Sequence, residues 1–406
     1  MSRSRWTAGL LVLALGLAGC AATPNGSGGT ETGSVTPSRT ITFSPPSLPA
    51  SADSAATIDP ATQCFAYAQQ LSLAQQVGQL YMTVLMAGSD VDQAIAQISA
   101  SGNGAVILLG NRTAGLAAVQ SETQQLQDAA PGGIPLLIAT DQEGGLVQKL
   151  SGPGFATIPA ATEQAQLDNT ELRGSWQRWG RELRNAGVNW NLAPVADVVP
   201  TDQVANNAAI GQLDRGYGSD PEGVGQKVAE VIGGLSDSRV ASSAKHFPGL
   251  GRVNENTDFA VGHDRVSQLD DADLASFQAA INAGASSVMV SSAIYDQVDP
   301  DNPAVFSSTI VTGILRERMG FNGVVTSDDL GAAVAVAGYP VADRGLAFLR
   351  AGGDMAVVAD SAAAQQMVAA TLAAAQADPQ FASEVTEKAA RVLDLKTDLG
   401  LMSCAS

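Results

Sequence analysis

From about residue 60 onward the chain repeats one pattern, a short continuous apolar run followed by a stretch with apolar residues every three to four positions. Runs of strand length occur at 77–86, 104–109, 134–140, 189–195, 240–245, 286–291, 323–327 and 353–358. Between them, 116–126, 171–186, 222–235, 274–283 and 309–319 carry the spacing of an amphipathic helix. Strands that are apolar on both faces need cover on both, and alternation with helices supplies it. Eight such units over roughly 340 residues predict an α/β chain folded as a single (β/α)8 TIM-type barrel. A doubly wound open sheet would place a Gly-x-Gly-x-x-Gly turn after an early strand, and none is present.

The first sixty residues follow different rules. Arg3 and Arg5 precede an apolar stretch, Leu10 to Leu17, that ends in Ala18, Gly19 and Cys20. That layout predicts a secretory signal over residues 1–19, too short for a lasting membrane span. Residues 20–60 are rich in Gly, Ser, Thr and Pro and carry too little apolar surface to order themselves, which predicts a tether. The barrel domain is expected over 61–406. The 406 residues contain 22 Lys and Arg against 40 Asp and Glu, a net charge of −18. That balance excludes nucleic acid as a partner. With 2 His and 3 Cys, multi-histidine metal sites and disulfide-dense scaffolds lack raw material. If Cys20 is lipidated, Cys64 and Cys404 remain, one at each end of the barrel. A bridge between them is expected in an exported compartment, the alternative being two free thiols near the chain ends.

A barrel places its chemistry at the C-terminal strand ends, and the polar residues follow that rule. The third strand runs into Asp141-Gln142-Glu143-Gly144-Gly145 and the fourth into Ala193-Pro194-Val195-Ala196-Asp197. The fifth ends in Lys245-His246-Phe247-Pro248-Gly249, and the seventh in Ser327-Asp328-Asp329-Leu330. Carboxylates, a lysine and a histidine thus converge on one rim.

The order and spacing of these four motifs resemble glycoside hydrolase family 3, in its branch of single-domain bacterial β-N-acetylglucosaminidases, over about residues 65 to 398. The resemblance implies a retaining exo-β-N-acetylglucosaminidase, acting on terminal β-linked N-acetylglucosamine such as that of peptidoglycan fragments, with no metal and no cofactor. It implies Asp328 as the nucleophile, and Asp141, Arg215, Lys245 and His246 as the residues that hold the sugar. Asp329 suits a helix cap better than catalysis. Asp197 is open between a sugar contact and a structural rim carboxylate. The ending Leu17-Ala18-Gly19-Cys20 resembles a lipobox, which implies a lipid on Cys20 and an envelope protein anchored to the outer face of the bacterial membrane. A monomer is expected, with an oligosaccharide or muropeptide as its small partner.

The family's proton donor is an Asp-Ser-His dyad, and here the matching segment reads Thr257-Asp258-Phe259-Ala260. The histidine is missing from its place, yet His263 follows three residues later. One expectation is therefore that His263 is the acid/base with Asp258 as its partner. The other is that Asp258 or Glu255 acts alone. Two further readings stand beside the active enzyme. A catalytically degenerate sugar-binding lipoprotein is motivated by Ala260, Leu146 and Leu250 standing where the family has other residues. A solute-binding lipoprotein would have two hinged lobes, against which the single eight-strand rhythm argues.

Overall fold

A computed structural model describes residues 64–404. The expected leader, the tether and Cys20 lie outside the described residues. Eight parallel strands make the barrel: β1 Tyr81–Met86, β2 Ala105–Leu109, β3 Leu137–Thr140, β4 Trp190–Asn191, β5 Ala241–Phe247, β6 Ser287–Val290, β7 Val324–Ser327 and β8 Ala356–Val357. Each pairs with the next in chain order, and β8 pairs with β1. The ring closes where Met355, just before β8, bridges to Thr326 of β7. There the Ser327 N–H donates to the Met355 carbonyl at 3.2 Å and the Leu330 N–H to the Val357 carbonyl at 2.9 Å. This is the (β/α)8 barrel that the eight apolar runs predict.

The elements form for local reasons. Strand residues such as Val106, Ile138, Val288 and Val325 are fully buried, since side chains of a parallel barrel face either the interior or the helices. Several of the helices around it begin on carboxylates. Asp168 caps Asn169–Asn185, Asp220 caps Pro221–Asp237, and Asp360 caps Ser361–Ala377, each accepting a backbone N–H of the first turn. Part of the acidic excess is thereby spent on helix starts, where the macrodipole favours negative charge.

Three boundaries differ from the sequence pattern. The run at 77–86 is a strand only from Tyr81; before it Leu73–Gln79 is a helix, opened by a reciprocal Ser72–Gln75 capping box. The run at 189–195 pairs regularly only at Trp190–Asn191, with an isolated bridge at Val195. Pro194 lacks an N–H and interrupts the ladder. The helix Thr309–Arg318 is wound in the wider π form.

Two small sheets decorate the catalytic rim. One is a hairpin of Gln142–Gly144 with Val147–Gln148, the other three strands, His263–Asp264, Ile294–Tyr295 and Asp299–Pro303. At the chain ends a disulfide joins Cys64 to Cys404, with Cα atoms 5.2 Å apart across a separation of 340 residues.

Candidate active site

The site is built around a buried ion lattice. Lys245 leaves β5 fully enclosed, and its Nζ contacts Asp141 Oδ1 and Glu143 Oε1, both at 2.6 Å. Arg215 closes the lattice from the loop after β4. Its Nε and Nη2 donate to the two oxygens of Glu143 at 2.8 Å each, and Nη1 donates to the Ala209 carbonyl at 2.7 Å. Burial alone would raise the Glu143 carboxyl. The charges of Arg215 and Lys245 and their hydrogen bonds outweigh it and hold the group well below the usual carboxylate range. Burial likewise opposes the charge on Lys245, but Asp141 and Glu143 overcome it and raise the ammonium. An ammonium has three protons, and Lys245 directs two of them to these carboxylates.

The backbone under this lattice is clamped by side-chain amides. The Gln142 N–H donates to Asn191 Oδ1 at 3.0 Å, while Asn191 Nδ2 donates back to the Gln142 carbonyl at 3.0 Å. Gln164 donates to the Glu143 carbonyl at 2.9 Å. Gly144, with φ of +106°, has no room for a Cβ, which would overlap the Pro159 carbonyl oxygen.

In a regular strand Lys245 and His246 would point to opposite faces. The pairing of β5 with β6 shifts between Lys245 and Phe247, and both side chains reach the site. His246 Nδ1 lies 2.8 Å from Asp197 Oδ2. Asp197 also accepts the backbone N–H of His246 at 3.2 Å and of Leu250 at 2.6 Å. Fully buried and spent on these partners, Asp197 is a structural carboxylate that orients the imidazole. The other ring nitrogen, Nε2, lies 3.5 Å from Arg215 Nη2.

Asp328 and Asp329 separate cleanly. Asp329 accepts backbone N–H groups from Gly331, Ala332, Ala333 and Ala359 at 2.7 to 3.1 Å, and so ties the loop down. Asp328, half-buried, receives one backbone bond from the Asp329 N–H at 2.9 Å, and its own N–H donates to the Val290 carbonyl at 2.8 Å. Its carboxylate keeps accepting capacity on a rigid strand end.

Asp258 comes to this carboxylate from the loop after β5. Loss of solvation first, then the negative charge of Asp328, push its carboxyl up to about 6, against the pull of His246 and Arg215. The loop is held in place by its neighbour after β7. The Val334 N–H donates to the Asp258 carbonyl at 3.1 Å and the Ala335 N–H to the Thr257 carbonyl at 3.2 Å.

The expected partnership of His263 with Asp258 is not formed. His263 Nδ1 lies 2.8 Å from Asp296 Oδ1, joining two segments of the three-stranded sheet. The short strand His263–Asp264 pairs with Ile294–Tyr295, which fixes the imidazole to that sheet. Asp141, Arg215, Lys245 and His246 are brought together as expected, with Arg215 largely committed to Glu143. Glu143 is the residue that motif reading missed. Its signal was present, because residues 141 and 143 stand two apart in an extended segment and share a face.

A packed barrel that gathers two neighbouring carboxylates and a lattice of charged donors at its strand ends fits a glycoside hydrolase. The chain belongs to family 3 of these enzymes, since residues 72–395 match the "Glycosyl hydrolase family 3 N terminal domain". It is 37% identical over 250 residues to a "Beta-hexosaminidase" of Xanthomonas oryzae pv. oryzae, covering 60% of this chain and 71% of that one. Among solved structures, it is similar to the β-N-acetylhexosaminidase of Beutenbergia cavernae DSM 12333, with a TM-score of 0.78 and 46% identity over 80% of this chain and 99% of that one. A family 3 β-N-acetylglucosaminidase from Paenibacillus sp. str. FPU-7 gives a TM-score of 0.74 at 31% identity, covering 82% of this chain and 63% of that one.

Proposed function

We propose that the chain is a retaining exo-β-N-acetylglucosaminidase in which Asp328 is the nucleophile and Asp258 the acid/base. The observation that carries this reading is the contrast between the two carboxyls, one on a rigid strand end, the other raised beside it. In the first step Asp328 attacks the anomeric carbon, the glycosidic C–O bond breaks, and Asp258 gives its proton to the departing oxygen. In the second, Asp258 as carboxylate takes a proton from water, the water oxygen bonds to the anomeric carbon, and Asp328 leaves. Two inversions give retention. Asp141, Lys245 and His246 hold the hydroxyls of the terminal sugar, with Arg215 and Glu143 setting their positions.

A 5-fluoro-N-acetylglucosaminyl fluoride should form the covalent intermediate quickly and release it slowly, labelling the peptide that carries Asp328. Turnover of an aryl N-acetylglucosaminide with no such label, and with Asp328→Ala still active, would overturn the assignment in favour of attack by the substrate's own acetamide.

The resemblance of the leader to a lipobox supports a lipid on Cys20 and a tether to the cell surface, and we extend the proposal to a monomer acting on peptidoglycan fragments. Cys20→Ser should then move the protein from the membrane fraction to the soluble fraction. Continued membrane association would place the anchor elsewhere.

A further inference from the structure

Among the described residues, the large apolar side chains most open to solvent share one face. They sit at the end of β1 (Met86) and on the loops after β3 (Leu146), β4 (Val204), β5 (Phe259, Val261 and Val266) and β7 (Val334). These are the loops of the catalytic rim. Exposed apolar residues scattered singly need no explanation, but a set confined to the mouth of a site does.

The pair nearest the chemistry is the most specific. Phe259 follows Asp258 directly and is 78% exposed, and Val334 is 45% exposed. Because the Val334 N–H is bonded to the Asp258 carbonyl, these two side chains flank the same peptide group from two different loops. Whatever departs in the first step must present its oxygen to Asp258, so its remaining atoms must pass beside that peptide. In the proposed mechanism the charged lattice below meets the terminal sugar, which leaves the departing group to this part of the rim. The ring C–H face of a second pyranose is apolar and matches an aromatic side chain well.

We infer that Phe259, with Val334 beside it, is the platform for the leaving group, and that it selects aglycones presenting an apolar face, a second sugar ring foremost. This deepens the reading of Asp258 and Asp328 above and rests on it. Contact made there is remote from the reacting bond and is converted into orientation of the departing oxygen toward Asp258. A substrate whose leaving group is a single atom gains nothing from it.

The test compares N,N′-diacetylchitobiose with β-N-acetylglucosaminyl fluoride, whose leaving group is too small to reach the platform. In Phe259→Ala the ratio of kcat/KM on the disaccharide to that on the fluoride should fall about tenfold. Phe259→Trp should restore most of that ratio. An equal change on both substrates, or none, overturns the proposal. A shift in the variant's oligomeric state on a sizing column would assign the patch to a second copy of the chain and overturn it as well. If the wild-type protein turns over neither compound, the hydrolase reading itself falls, which is a separate result from a wild type active on both and a Phe259→Ala variant with an unaltered ratio.

Discussion

In the proposed mechanism Asp258 and Asp328 are the same side chain asked to do opposite things, and their surroundings make the division. Asp258 must hold a proton to give one away, so its raised value of about 6 sets a limit on the basic side. Below that pH it is protonated and competent; as pH rises through it the proton is lost and glycosylation with a poor leaving group slows. The kcat/KM profile on a disaccharide should therefore fall above about pH 6, while a dinitrophenyl glycoside, whose leaving group needs no proton, should show a much weaker fall. Asp258→Asn should lower the disaccharide rate by about 10²- to 10⁴-fold and the dinitrophenyl rate far less. His263, engaged with Asp296, should tolerate Ala with less than about a threefold change on either substrate. A large, disaccharide-selective loss in His263→Ala would return the acid role to that residue.

Loops, more than strands, decide where these groups stand. His246 stands near the end of β5 and Asp258 twelve residues later, so the segment between them must fold tightly to bring both to one site. Gly251 permits that fold. A Cβ there would overlap the Val198 carbonyl oxygen, with backbone on both sides of the contact and no flexible chain to give way. Gly251→Ala should displace the loop and pull Asp258 away from Asp328. The expected signature is a loss of kcat/KM of at least tenfold, larger for poor leaving groups than for good ones, with circular dichroism of the barrel preserved. A uniform loss with unfolding would show that the glycine serves the core instead. On the far side of the same cleft, Asp329 spends its carboxylate on four backbone groups, so that the adjacent Asp328 is left to react.

The barrel domain is a ring whose first and last described residues are pinned beside each other. The C-terminal helix, Pro379–Asp398, docks through Arg391, which bonds Asp354 at 2.9 Å. Arg316 binds the same buried carboxylate. The Cys64 N–H donates to Asp394 of that helix at 2.8 Å, and the disulfide to Cys404 lies alongside. Linking residues 340 apart removes much freedom from the unfolded chain. Cys404→Ser should cost about 3–5 kcal/mol of stability, read as a lower melting temperature under oxidising conditions. Reductant should lower the wild type to the same value and leave the variant unmoved. An unchanged melting temperature would mean that helix docking alone holds the ends. Because the bridge is remote from the rim in the chain, activity at moderate temperature should survive its loss.

The fold was legible because the information is local and repeated. Apolar runs and 3.6-residue spacing reflect which faces must be covered, and eight repeats of one unit leave few ways to close. The short motifs at the strand ends were legible for the same reason, since Asp141 and Asp328 directly follow a strand and Lys245 and His246 close one. What the chain could not declare was partnership across long separations. Nothing local to His263 states that Asp296, rather than Asp258, lies opposite it, because that depends on the pairing of His263–Asp264 with Ile294–Tyr295. Glu143 shows its role only when Lys245 and Arg215 arrive from residues 102 and 72 positions away in sequence. The raised carboxyl of Asp258 exists only in the folded molecule, for its loss of solvation and the field of Asp328 depend on groups brought together in space. Sequence determined the barrel and the strand-end residues; tertiary structure decided that the Asp258 carboxyl is raised, because burial and charge are set by neighbours in space.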